Sequence, residues 1–445
     1  MRRIALCLLV FLGAPSFAAE STAFINVNVV PMAAEVVVEQ QTVVVRNGKI
    51  AAIGPVDAVP IPEDAIVVDG TDRYLMPGLA EMHAHVPDAD SSEIDRYFSL
   101  YIANGVTTIR GMLGRPSHIS LRERLEKGEV FGPRLVTSGP SVNGRSVEGA
   151  EQARRMVRDQ HDAGYDFIKI HPGPTRDEFE AVAETANALG MPFAGHVPVA
   201  VGVPRALELG IATIDHLDGY FVALLPPDSP GGGGFGGFFD VFLADDIEAD
   251  RIGELAAATA EAGTWNVPTE VLIEQLVDDT PIVELRNRAE MRYVPKEMVE
   301  RWAQAKASQL ADHDYDPKVA RRAIELRRRL IRELHRAGAG LLLGSDAPQV
   351  YNVPGFSLPR ELDALVAAGL PPYEALRPGT LAVGEVLGTS TGLVAVGRDA
   401  ELVLLDANPL EDIGNSRRIH GVMLRGTWYP AAALGKRLEA YLAAD

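Results

Sequence analysis

The chain has 445 residues, 47% of them hydrophobic and 23% charged. That length suits a large core with a smaller companion domain. The formal net charge of −19 argues against nucleic acid and against anionic membrane surfaces as partners.

The chain opens like an export leader. Arg2 and Arg3 form a basic start, residues 4–12 are an apolar run too short to span a bilayer, and Ser16-Phe17-Ala18 offers small residues for cleavage. Residues 1–18 are therefore expected to be a signal peptide, with the mature protein periplasmic or secreted. Cys7, the single cysteine, falls inside that leader. The mature chain is then expected to hold no disulfide and no thiolate metal ligand. No later stretch predicts a membrane span.

Residues 20–75 read as β-rich, with alternation over 23–30 and 41–46, an Asn47-Gly48 turn, and a further strand over 49–53. The far end matches in character, with strands expected at 393–396, 400–405 and 420–424. Segments 20–75 and 386–432 are expected to form one small β-sandwich domain, with 76–385 inserted and 433–445 left as a C-terminal helix or tail.

The insertion alternates short apolar strands with amphipathic helices. Strands are expected at 79–83, 106–110, 134–138, 167–170, 192–196, 213–216, 264–267 and 340–344. Helices are expected at 148–163, 176–189, 250–262 and 360–368, among others. Repeated β/α units predict an α/β fold, a (β/α)8 TIM barrel. Two segments break the rhythm. Residues 226–239 contain the glycine run 231–237 and read equally as a lid or a connector, and 295–338 is a long charged helical stretch.

Polar residues close several of these strands. His83 and His85 are two apart, so both imidazoles lie on one side of a strand and can reach one metal. Lys169 sits within the apolar run Phe-Ile-Lys-Ile at 167–170, His196 ends the fifth strand, His216 ends the sixth, and Asp346 follows the eighth. Carboxyl ends of barrel strands open on one face, where active sites sit. A lone histidine at a strand end is ordinarily structural; six such groups on one rim point to a metal site.

At these residues the sequence resembles the amidohydrolase superfamily over nearly its whole mature length. Residues 75–85, Leu-Met-Pro-Gly-Leu-Ala-Glu-Met-His-Ala-His, are similar to the family's first-strand signature. Gly-Ser-Asp-Ala at 344–347 looks like its last-strand motif, and Val-Gly-Arg-Asp-Ala-Glu-Leu-Val-Leu-Leu-Asp at 396–406 like the return into its small β-domain. Lys169, with Val-Pro-Gly-Phe-Ser-Leu-Pro-Arg-Glu at 353–361, resembles the branch of prolidase-like, carboxypeptidase-like and imidazolonepropionase-like enzymes.

The resemblance implies two divalent ions, zinc by expectation. His83, His85 and Asp346 would hold the first and His196 and His216 the second, with Lys169 bridging them as a carbamate. It implies a metal-activated hydroxide, with Asp346 moving protons, and cleavage of a C–N bond in a dipeptide or N-acyl amino acid. The alternatives are a lactone or cyclic-amide ring hydrolase on the same site, or a secreted binding protein without activity. The partner is a small-molecule substrate, and a homo-oligomer stays open. His171 departs from the branch pattern and is a candidate substrate contact, with Arg110, Asn143 and Tyr220.

Overall fold

A computed structural model of the chain describes residues 21–227, 229, 238–312 and 315–442. The expected leader at 1–18 and the glycine run at 231–237 lie outside the described residues.

The amino-terminal segment forms strands β1 (Ser21–Val29), β2 (Val38–Arg46), β3 (Lys49–Pro55), β4 (Ile66–Asp69) and β5 (Tyr74–Pro77). Asn47 and Gly48 join β2 to β3 with φ of 53° and 72°, the two left-handed residues that a tight hairpin needs. Strands β6 (Leu79–Ala84), β7 (Val106–Gly111) and β8 (Arg134–Thr137) make one parallel sheet. A second parallel sheet holds β9 (Ile168–Ile170), β10 (Phe193–Gly195), β11 (Thr213–Asp215) and β12 (Trp265–Val267).

The chain's end adds β13 (Leu402–Leu405), β14 (Ile419–Leu424) and β15 (Thr427–Pro430). These join the first five strands in one mixed sheet of eight, ordered β15-β14-β13-β5-β1-β2-β3, with β4 on β1. Strand β5 pairs with β1 on one edge and β13 on the other, which joins the two chain ends edge to edge. The hydrogen bonds define one mixed sheet built from both chain ends. A local core of Phe24, Val27, Val43, Leu402, Leu404 and Met423 fills its inner side. The strand expected at 393–396 does not form; Val394 makes only a single backbone bond to Pro31.

The two parallel sheets meet through bridges between Ser138 and Phe167 and between Val142 and Ile170. At the other seam the strand expected at 340–344 is reduced to isolated links. Leu341 bridges Asn266, the Met82 amide donates to Leu343 at 2.8 Å, and Ala84 bridges Ala347. The result is TIM-barrel-like, with the ladder interrupted at both seams. Glycines bound this segment: a Cβ on Gly340 would lie 2.2 Å from the Trp265 ring and one on Gly344 2.5 Å from Val267. The bare backbone at these positions lets the Trp265 and Val267 side chains pack directly against it.

Helices cover the outside at Ala150–Asp162, Arg176–Leu189, Ile252–Glu261 and Leu358–Ala367. Arg176–Leu189 shows why its bounds were readable: Thr175 and Glu178 form a capping box, and Gly190 closes the helix at φ 66°. The stretch 295–338 divides into Lys296–Leu310 and Pro317–Ala337. The second buries Leu326, Leu330 and Leu334, spaced by four on one face. Among the described residues no helix is long and apolar enough to cross a membrane.

Candidate metal centre

Six of the sequence-derived candidates converge at the carboxyl ends of the barrel strands. A cavity of about 330 Å³ there is lined by His83, His85, His171, His196, His216 and Asp346, among others. Ring centroids lie 4.5 Å apart for His83 and His216, 4.8 Å for His196 and His216, and 5.2 Å for His171 and His196. Among the described residues, ligand atoms of His83, His85 and Asp346 all fall within 4.8 Å of one another. Asp346 Oδ1 is 2.7 Å from His85 Nε2 and 3.6 Å from His83 Nε2. The close pair is not aligned as a hydrogen bond.

The other ring nitrogens face polar groups, and those of His196 and His216 are hydrogen-bonded. His83 Nδ1 lies 3.1 Å from Asp215 Oδ2, His196 Nδ1 lies 3.1 Å from Asp218 Oδ2, and His216 Nδ1 lies 2.8 Å from Thr269 Oγ1. A carboxylate accepting from Nδ1, as Asp218 can from His196, fixes the tautomer and leaves Nε2 for a metal. Burial holds His83 in its neutral form, pulling its pKa down to about 4, and pulls His216 down as well. Neutral imidazole is the ligand form.

Lys169 is fully buried, on the interior side of β9. Its Nζ is 3.4 Å from Asp215 Oδ2, and burial pushes its ammonium below the usual lysine range. Gly195 makes room for it: a Cβ there would sit 2.9 Å from Lys169 Cδ and 2.4 Å from the Ile170 carbonyl. Burial opposes the Asp215 carboxylate, but the charges of Lys169 and Arg110 outweigh it and hold this carboxyl well below its ordinary range.

Backbone geometry at the rim is unusual. His216, Thr269 and Asp346 have φ of 62°, 47° and 59°, left-handed values that L-residues avoid at a cost of about 1–2 kcal/mol each. Phe239, at φ 52°, places its ring 4.9 Å from that of His216.

Four candidates are not among the residues lining the cavity: Lys169, buried as described, and Arg110, Tyr220 and Asn143. Arg110 turns inward, where its guanidinium donates to the Met82 carbonyl, Thr213 and Asp215. It borders a separate concavity of about 910 Å³ at the amino ends of the strands, lined also by Phe167 and Trp265. Tyr220 is fully buried, with its hydroxyl on Thr259 and Asn266. Asn143 closes a local turn, bonding Ser141, Arg145 and Ser146. Of the four proposed substrate contacts only His171 lines the cavity, and its buried Nδ1 has no hydrogen-bond partner.

Sequence reasoning missed Asp215, Asp218 and Thr269. Asp215 and Asp218 flank His216 in Thr213-Ile-Asp-His-Leu-Asp218, and two carboxylates so near a candidate ligand were the available signal. Thr269 carried none, since it reaches His216 across 53 residues of chain.

The amidohydrolase family model matches residues 74–429. Among solved structures, the chain is similar to bottromycin amidohydrolase, at 24% identity over 95% of this chain and 91% of that one, with a TM-score of 0.73. It is also similar to a Xaa-Pro dipeptidase with methionine bound in the active site, at 19% identity over 92% and 100% of the two chains, with a TM-score of 0.66. L-hydantoinase of Paenarthrobacter aurescens is 28% identical over 153 residues, 33% of this chain. That match spans only 32% of the hydantoinase's length. With the family match covering most of its length, the chain belongs to the amidohydrolase family.

Proposed function

We propose that the chain hydrolyses a C–N bond in a small amide, such as a dipeptide or an N-acyl amino acid, using two divalent ions, zinc by expectation. The observation that supports this most is the convergence of His83, His85 and Asp346, whose ligand atoms lie within 4.8 Å of one another among the described residues, beside His196 and His216 held at Nδ1 by Asp218 and Thr269. His83, His85 and Asp346 would hold one ion. His196 and His216 would hold the other, with Lys169 as its carbamate completing the set. Bound divalent ions lower the pKa of water and polarise a carbonyl oxygen.

The chain's own residues supply the rest. Asp346, buried beside His83 and His85, is positioned to accept a proton on its carboxylate and return it to the leaving amine. Burial of Lys169 favours its neutral amine, the form that combines with carbon dioxide. The likeness to a protein named L-hydantoinase favours a second reading on the same site, the opening of a cyclic amide or lactone.

Purified protein incubated with dipeptides, N-acyl amino acids, cyclic amides and lactones, followed by mass detection, tests both readings. Turnover of linear amides that is lost on chelation and restored by metal supports the first. Turnover of rings alone selects the second, and a metal-loaded protein that turns over nothing is a binding protein. Residues 1–18 are proposed to direct export; a mature amino terminus at Ala19 is the expected result of end-sequencing the secreted form.

A further inference from the structure

One wall of the histidine cavity differs chemically from the rest. Leu272 and Leu276 lie four apart on the helix Glu270–Val277 and so share a face; both line the cavity, with Phe239 and Val350 beside them. Two neutral amides, Gln309 and Gln349, border the same space.

This wall is held at both ends. At its amino end, Glu361 accepts from the Glu270 and Val271 amides at 2.9 and 2.7 Å. At its carboxyl end, the buried Lys306 of Lys296–Leu310 donates to the Gln275 and Asp278 carbonyls at 2.6 and 3.0 Å and to the Asp278 carboxylate at 2.7 Å. All three ammonium donors are used in joining the two helices. A surface fixed in this way needs little ordering when a ligand arrives.

We propose that this wall sets specificity: the substrate group beside the scissile bond is an uncharged aliphatic or aromatic side chain or acyl group, lying on Leu272 and Leu276. Gln309 and Gln349 then pair with peptide-like N–H and C=O groups next to it. The inference rests on the amide-hydrolase reading and names its substrate class. A charged group against the two leucines would lose its hydration and gain no ion pair from them or from the two amides. Each methylene laid on the wall gains roughly fourfold in binding.

The test uses the metal-loaded chain and N-acyl amino acids with acyl groups from acetyl to hexanoyl, alongside matched compounds bearing a charged terminus on the acyl chain. The expected result is kcat/KM rising severalfold per methylene, with charged compounds at least tenfold poorer than neutral ones of equal length. Leu272→Ala, or Ala305→Trp at the exposed rim of the cavity, should reduce the hexanoyl-to-acetyl ratio at least tenfold with metal content retained. A flat series, a preference for charged compounds, or an unchanged ratio in both variants overturns the inference while leaving amide hydrolysis standing. Absence of turnover for every amide, with ring substrates cleaved, removes the amide reading and the inference with it.

Discussion

Asp215 Oδ2 lies 3.1 Å from Nδ1 of His83, while Asp346 approaches the opposite nitrogen of the same ring at 3.6 Å. The imidazole is held between two carboxylates, one behind it and one in the cavity. Asp215 also faces Lys169 and Arg110, so one buried carboxylate lies against a histidine and two basic side chains. Asp215→Asn should lower metal affinity or kcat/KM about 10–100-fold, the usual effect of removing such a partner. Metal analysis beside kinetics checks it; full metal content with ordinary rates would show that His83 is oriented by other means.

Asp346→Asn separates ligation from proton transfer. Asparagine keeps a carbonyl oxygen for a cation but cannot carry a proton. Metal content should fall little while kcat falls about 10²–10⁴-fold. A fully loaded variant with near-normal kcat moves the proton role elsewhere, and His171 is the next residue to replace.

Lys169 makes its own prediction. Native mass spectrometry should find the added mass of one carbon dioxide on the active chain. Lys169→Ala should lose most activity and regain part of it with short carboxylates and bicarbonate. A variant with normal rates would leave Lys169 as no more than the counter-ion of Asp215.

Tyr220→Phe tests the burial of that hydroxyl. Its loss leaves Thr259 and Asn266 short of a partner, so stability should drop by about 1–2 kcal/mol with KM unaltered. A raised KM at unchanged melting temperature would return Tyr220 to the substrate.

Glu401 carries a pH dependence remote from the metal centre. Burial pushes its carboxyl up from 4.5 to about 7, against the pull of Arg425 and Arg134, with Asp399 adding to the rise. The folded chain therefore keeps a proton that the unfolded chain releases above its ordinary value. The stability conferred by that proton is fully present below about 4.5 and is lost as pH rises toward 7. Glu401→Gln should flatten this decline and raise the melting temperature above neutral pH, with little change near pH 4. Parallel melting curves for the two proteins across that range would refute it.

Much of the rim was legible because a strand-end polar residue after an apolar run is a local signal. His83, His85, His196, His216 and Asp346 all carry it. Arg110 carries it too, yet its side chain turns into the barrel to meet Asp215, and only the fold decides which way it points. Glu361 lay within a quoted motif, but its duty at the start of Glu270–Val277 depends on a contact about 90 residues away in the chain. The eighth strand, read from the apolar run between Gly340 and Gly344, forms only isolated links, because how regularly a segment pairs with its neighbours is decided by their packing and not by its own sequence.

The left-handed backbone at His216, Thr269, Phe239 and Asp346 puts two selective pressures in opposition. Glycine at any of these positions would relax the chain locally, by an amount comparable to what a single stabilising substitution ordinarily provides. Each such gain would also remove a side chain that faces the centre or supports it. The sequence that melts highest is therefore not the one that turns over fastest, and repeated selection for heat resistance alone should erode these four positions.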